Sequence, residues 1–291
     1  MQRVKLVVVI PVGPNLRYDF IVDTLESIRY YTQTDYKVII VDDSGSDVGA
    51  MLQRDDPTLD VVRTLGRQGI CGGLYLGTSL GFQHALERYD FAVLLRLDSD
   101  ALIIGPHAED DAIAFFRDHP EVGLLGSYRL GCDGGQRDFT PPRRQLQREL
   151  SLWHFLTKPH HRSHARFLRD TVRTAVSHGY EFGEHCLAAA TFYSAACVKA
   201  LSDGDLLGRQ ALKTSRLGDD HLFGLLVIAS GSKMADFATG DLPIAVSWRG
   251  LPLSPDELLR RKKKITHSTR FWNDLNEEQI REFFRSVRNA S

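Results

Sequence analysis

The sequence carries almost no net charge: 36 Lys and Arg stand against 37 Asp and Glu, a formal charge of -1. That balance argues against a dedicated nucleic-acid binder, which needs a basic surface to neutralise phosphates. No apolar run approaches the roughly 20 residues of a membrane span. The longest, residues 222–229, has the length of a buried core segment. Cysteine is scarce, and Cys71, Cys132, Cys186 and Cys197 show no C-x-x-C spacing. Cys186 and Cys197 lie in apolar segments, where a free Cys packs as a small hydrophobe. A reducing, cytoplasmic setting is the expectation. There is no internal repeat, no low-complexity tract and no G-x-G-x-x-G after a strand, so a dinucleotide-dependent dehydrogenase is a poor fit. Residues 2–10 have a signal peptide's basic and apolar parts. Pro11, Gly13 and Pro14 cut that stretch short and no small-residue cleavage site follows, so a buried first strand is expected there.

What is present is ordinary globular material, 43% hydrophobic and 25% charged over 291 residues. That length suits one large α/β domain. Strand-like and helix-like segments alternate through the first half, the pattern of a mainly parallel sheet with helices on its faces. Strands are predicted over 4–10, 36–41, 91–97 and 122–127, and helices over 72–89 and 108–118. Asp19 is placed as the cap of another helix, and Gly77 and Gly81 count against the helix that contains them. Between 143 and 178 the composition turns basic. Arg162, Arg166, Arg169 and Arg173 draw a stripe along one helix face, opposite Ala165, Leu168, Val172 and Val176. This segment is too short to own a core and reads as an inserted helical arm. Ser254-Pro255-Asp256-Glu257 is a helix start of capping-box type.

Two acidic clusters follow predicted strands directly: Asp42, Asp43 and Asp47 after the second, Asp98 and Asp100 after the third. Ligands of open α/β sheets bind outside the carboxyl ends of the strands. A diphosphate sits among carboxylates only with a divalent cation between them, and Mn²⁺ or Mg²⁺ with oxygen ligands suits that task. A second D-x-D, Asp203-Gly204-Asp205, follows a helical segment and reads as a turn.

Val8-Val9-Ile10-Pro11-Val12, Val41 to Asp47, Leu97-Asp98-Ser99-Asp100-Ala101 and Gly218-Asp219-Asp220-His221 occur in that order. In order and spacing they resemble the GT-A-fold glycosyltransferases, specifically those similar to family 2. The likeness covers the first half well and residues 183–228 moderately. It implies a GT-A-like α/β fold of Rossmann-like halves with a mainly parallel central sheet flanked by helices, a single domain over 1–291. Residues 1–130 would bind the nucleotide sugar, and 131–291, including the arm 143–178, the acceptor. It implies that Pro11 and Val12 line the nucleotide pocket and Asp43 bonds the base. Asp98, with Ser99 beside it, would meet ribose or metal, and Asp100 would bind the metal. Asp220 matches the last acid of the family's Glu-Asp motif, the general base of its inverting members. Asp219 replaces the Glu, which leaves open which of the two acts; an N-cap pair is the plain structural alternative. The family's Ala-Arg-Asn segment is absent, with Gly77-Thr78-Ser79 near its place.

His267 resembles the late His that several GT-A enzymes present to the metal beside the D-x-D acids, and imidazole is an acceptable Mn²⁺ ligand. Lys264 and Arg270 are then candidates for the diphosphate. Trp248 reads either as a platform for an acceptor sugar or as a packing residue. The Arg stripe reads as a solvated face, as contact with an anionic acceptor, or as peripheral contact with an anionic membrane surface. His154, His160, His161 and His164 lack a regular ligand spacing and are not assigned a metal. The expectation is a metal-dependent transfer from a nucleotide diphosphate sugar, UDP favoured, to an unidentified acceptor hydroxyl, with inversion. The rivals are a sugar nucleotidyltransferase, for which residues 11–16 make a poor triphosphate loop, and an inactive binder of the same fold.

Overall fold

The computed structural model describes residues 1–14, 16–151 and 162–290. A seven-stranded sheet of order β3-β2-β1-β4-β7-β6-β8 forms its centre. The strands are β1 (Gln2–Val12), β2 (Tyr36–Asp42), β3 (Asp60–Arg63), β4 (Tyr89–Leu97), β6 (Val122–Gly126), β7 (Ala190–Ser194) and β8 (Lys233–Asp236). β7 runs antiparallel to both β4 and β6, and the other pairs are parallel. The mainly parallel sheet flanked by helices is therefore present as expected. This sheet draws strands from both halves of the sequence, because β7 from the second half lies between β4 and β6.

The reason is legible in β1. Val4, Val7 and Val9 pack into one apolar cluster, and Leu6, Val8, Ile10 and Val12 into another. Successive side chains point to opposite faces, so a strand covered on both sides reads as a near-continuous apolar run. On the first face lies the helix Gly72–Arg88. Gly81 is what lets it come close: a Cβ there would stand 2.6 Å from Val9 Cγ1 and 2.7 Å from Val41 Cγ2. The glycine thus serves packing rather than breaking the helix.

Three local expectations are corrected. The first helix spans Tyr18–Tyr31 with Arg17 at its cap, so Asp19 sits inside the first turn, paired with Arg17. Helix Asp219–Ala229 is capped by Gly218, so Asp219 and Asp220 occupy its opening positions rather than capping it. The third concerns the apolar face of the helix in the basic segment. Helix Arg162–Ser177 buries Ala165 and packs Leu168, Val172 and Ala175 into the main core, while Val176 is exposed. The 3.6-residue repeat continues from Val172 to Ala175, not to Val176. The Arg stripe divides accordingly: Arg166 is exposed, Arg173 pairs with Asp170, and Arg169 donates to the Leu150 carbonyl at 3.1 Å. His154, His160 and His161 lie outside the described residues, and His164 is buried against Glu149 at 2.9 Å.

A small sheet completes the part that matters for function. β10 (Ile265–His267) pairs antiparallel with β5 (Leu102–Ile103) and parallel with β9 (Ile244–Val246).

Candidate active site

β4 ends at Leu97, and the chain turns at once: the Ala101 N–H donates to the Asp98 carbonyl at 3.1 Å. That turn puts the carboxylates of Asp98 and Asp100 side by side. It is fastened from below, with the Asp98 N–H on the Ala189 carbonyl at 2.9 Å and Arg281 Nη2 on the Ser99 carbonyl at 3.3 Å. Thr266 lies opposite Leu102 in the small sheet, so the next residue of β10, His267, is delivered to the acids. Its Nε2 is 3.1 Å from Asp100 Oδ1 and 3.5 Å from Asp98 Oδ2.

The donor set fits a divalent cation. Ligand atoms of Asp98, Asp100 and His267 all lie within 4.8 Å of one another, and two carboxylates with one imidazole suit Mn²⁺. His267 Nδ1 is 2.8 Å from the Ser247 carbonyl, so it donates there and Nε2 is the nitrogen aimed at the acids, the usual arrangement behind a ligating His. The outer carboxylate oxygens are already occupied. Asp98 Oδ1 is held by Arg96 at 2.8 Å, and Asp100 Oδ2 by Arg270 Nε at 2.7 Å and Ser268 Oγ at 3.0 Å. One oxygen of each acid is left facing His267. Burial opposes the Asp100 charge, but His267 and Arg270 outweigh it and pull the carboxyl well below its usual range.

A cavity of about 640 Å³ opens beside this cluster at the carboxyl ends of β1, β2 and β4. Pro11, Val12, Asp43, Ser99 and Arg270 all line it, together with the two acids. Asp43 has work of its own there. Its carboxylate accepts from Thr64 Oγ1 at 2.6 Å, from the Gln68 N–H at 2.7 Å and from the Gly69 N–H at 2.9 Å. It therefore braces the loop 64–69 that forms one wall, where Gly69 adopts φ +84. Lys264 is not part of this wall. Its Nζ donates to the His107 carbonyl at 3.2 Å and pairs with Asp111 of helix Ala108–Asp118, which holds it away from the cavity. Arg17 and Arg67 line the cavity instead.

Behind the acid turn stand Asp219 and Asp220. Asp219 is buried, with Oδ2 2.9 Å from Arg96 Nη2. Burial pushes its pKa up to about 6, against the pull of Arg96. Asp220 Oδ1 accepts from the His221 N–H at 2.9 Å. Burial pushes Asp220 up as well, but the His221 imidazole, then His185, outweigh it, so the carboxylate is held below its usual range.

Among the described residues, His185, Asp220 and His221 form a second group with ligand atoms within 4.8 Å of one another. Its hydrogen bonds do not suit a cation. His185 Nδ1 donates to the Gly183 carbonyl at 2.8 Å, and Nε2 accepts from Arg137 Nη2 at 2.7 Å. His221 Nδ1 accepts from the Gly218 N–H at 3.3 Å, which leaves its hydrogen on Nε2. Neither Nε2 has a lone pair to offer. Burial drives the His185 pKa down to about 3, against the pull of Asp220.

Arg96, Arg137, His185 and His221 escape a reading of the sequence. The one signal for Arg96 is a charge inside an otherwise apolar strand, which demands buried partners. Trp248 is exposed, with the Arg249 guanidinium 4.4 Å over its ring.

No protein-family model matches the sequence, and no curated protein matches it. Solved structures do resemble the fold. Residues 1–349 of TarS from S. aureus give a TM-score of 0.44 at 16% identity, over 80% of this chain and 58% of that one. The same TarS segment in complex with UDP gives 0.46 at 17% identity, over 99% and 72%. The mannosyltransferase PcManGT from Pyrobaculum calidifontis, in complex with GDP-Man and Mn²⁺, gives 0.47 at 16% identity, over 89% and 61%. The chain spans about three fifths of the first and the last of these, 58% and 61%.

Proposed function

We propose that this protein is a metal-dependent glycosyltransferase that takes a sugar from a nucleoside diphosphate donor, a UDP-sugar first among candidates, to an acceptor hydroxyl. The observation that carries the reading is the convergence of Asp98, Asp100 and His267, the two acids of which line the strand-end cavity. A bound Mn²⁺ or Mg²⁺ would supply charge neutralisation for the leaving diphosphate. Pro11 and Val12 flank the nucleotide, and Arg270, exposed on the cavity wall, offers its terminal nitrogens to the diphosphate.

The base is Asp220. Asp219 is engaged with Arg96, whereas Asp220 keeps an ionised carboxylate with one oxygen free of hydrogen bonds. It takes the acceptor's hydroxyl proton as the acceptor oxygen bonds to the anomeric carbon. The bond from that carbon to the diphosphate oxygen breaks, and the nucleoside diphosphate leaves with the electron pair. A single displacement of this kind inverts the anomeric centre.

The test is a panel of nucleotide sugars scored by thermal stabilisation and by release of nucleoside diphosphate, each with Mn²⁺ and with excess chelator. Stabilisation and turnover by at least one donor, lost with chelator, are expected. Turnover that survives chelation removes the metal; a panel with no binder removes the donor class.

A further inference from the structure

We propose that Arg96 is a positioning residue that joins the metal-binding acid turn to the helix carrying the base, so that the charge on Asp219 sets the affinity for the cation at Asp98; this rests on the metal reading given above. Arg96 lies in the middle of the central sheet, opposite Val9 of β1 and Thr191 of β7, and is almost wholly buried. A guanidinium there is costly unless its charge is matched and its donors are used. Two carboxylates from different elements match it. Nη1 holds Asp98 Oδ1 at 2.8 Å and also donates to the Ala188 carbonyl, while Nη2 holds Asp219 Oδ2 at 2.9 Å.

The fork is what matters. One planar group presents separate arms to two acids 121 residues apart in sequence (219 - 98), which a point-like ammonium does not do. With Oδ1 fixed by Arg96, the Asp98 carboxylate is left presenting Oδ2 toward His267. With Asp219 fixed at the first position of its helix, the direction of Asp220, the next residue, is fixed too. Asp219 does not line the cavity; its carboxylate repels that of Asp98 directly, and the group between them that both hold is Arg96. Remove its charge, and the whole guanidinium charge falls on Asp98, where it competes with the cation.

Free Mn²⁺, followed by electron paramagnetic resonance in a titration without donor, reads this directly. Asp219→Asn should weaken Mn²⁺ binding about tenfold, the low end for partners outside the ligand shell. Asp219→Glu keeps the charge within reach of Arg96 and should restore most of it. Asp203→Asn, which removes an exposed acid paired with Lys199, should stay within about twofold of wild type. In an Arg96→Lys background the further effect of Asp219→Asn should shrink to about threefold or less, because coupled residues are not additive. Melting curves confirm that each variant is folded. Wild-type protein that takes up no Mn²⁺ overturns the metal reading and this link together. Wild type that binds, with a folded Asp219→Asn that binds equally well, overturns the link alone.

Discussion

His267 Nε2 stands 3.1 Å from Asp100 Oδ1, across 167 residues of sequence. The pairing of β10 with β5 enforces the contact, since β5 begins two residues after Asp100. Each of these two side chains is oriented by a partner of its own, Ser247 for the imidazole and Arg270 with Ser268 for the carboxylate. A site so prepared should bind Mn²⁺ without donor. Asp100→Ala should weaken that binding by roughly tenfold or more, and Asp203→Ala should leave it unchanged. Equal effects in the two variants would mean that the wrong D-x-D has been assigned.

Arg270 and the cation should separate in their effects. Arg270→Ala removes a positive charge 2.7 Å from Asp100, so Mn²⁺ affinity holds or rises. Donor affinity should fall about tenfold or more, the worth of a charge-assisted hydrogen bond to the diphosphate. Isothermal titration of Mn²⁺ and then of UDP distinguishes the two. A parallel loss of both would make Arg270 a support for Asp100 rather than a diphosphate contact.

The base prediction concerns rate. Asp220→Asn keeps the shape and the hydrogen bond from the His221 N–H but removes the basic carboxylate. It should lower kcat by about 10² or more with the donor KM near normal. Loss of donor affinity with an unchanged kcat would assign Asp220 to binding.

Much of the fold is legible because its strands carry buried apolar runs, as in 6–10 and 93–95. The acid turn and His267 are legible through a family likeness, although nothing in the spacing of 100 and 267 foretells a small sheet that joins them. Helix Arg162–Ser177 is harder: its four arginines dominate the pattern, while the Ala165, Leu168, Val172 and Ala175 face decides where it packs. Arg96 and His185 are illegible for a further reason. The partners that reveal them, Asp219 for Arg96 and Arg137 for His185, lie 123 and 48 residues away in sequence.

The same helix gives a prediction about salt. Arg166 and Arg173 are exposed, whereas Arg169 fastens the helix to Leu150. Arg169→Ala should lower stability by about 1 kcal/mol. Replacing Arg166 and Arg173 together with Ala should leave melting unchanged. If an anionic acceptor docks there, that double variant also loses the salt dependence of acceptor KM. An unchanged salt series in the double variant assigns the stripe to solvent.

The last prediction concerns acid stability, at a buried carboxylate outside the cavity lining. Glu149 is buried, and its carboxylate accepts from His164 Nε2 at 2.9 Å, Ser215 Oγ at 2.8 Å, the Arg216 N–H at 2.8 Å and Gln145 Nε2 at 2.9 Å. Burial alone would raise its pKa, but His164 and the other donors outweigh it and hold the carboxyl near 2, against an ordinary 4.5. A carboxyl depressed in the folded state stabilises the fold above its unfolded pKa, and that contribution fades as pH falls from about 4.5 toward 2. Its full size is about 3 kcal/mol. Glu149→Gln should therefore be less stable than wild type at pH 7 by up to that amount, and the gap should close as the pH drops through this window. Urea unfolding of both proteins at pH 7, 5, 4 and 3 measures the gap. A gap of constant size at every pH would show that the destabilisation comes from lost packing or geometry and that the charge of Glu149 does not matter.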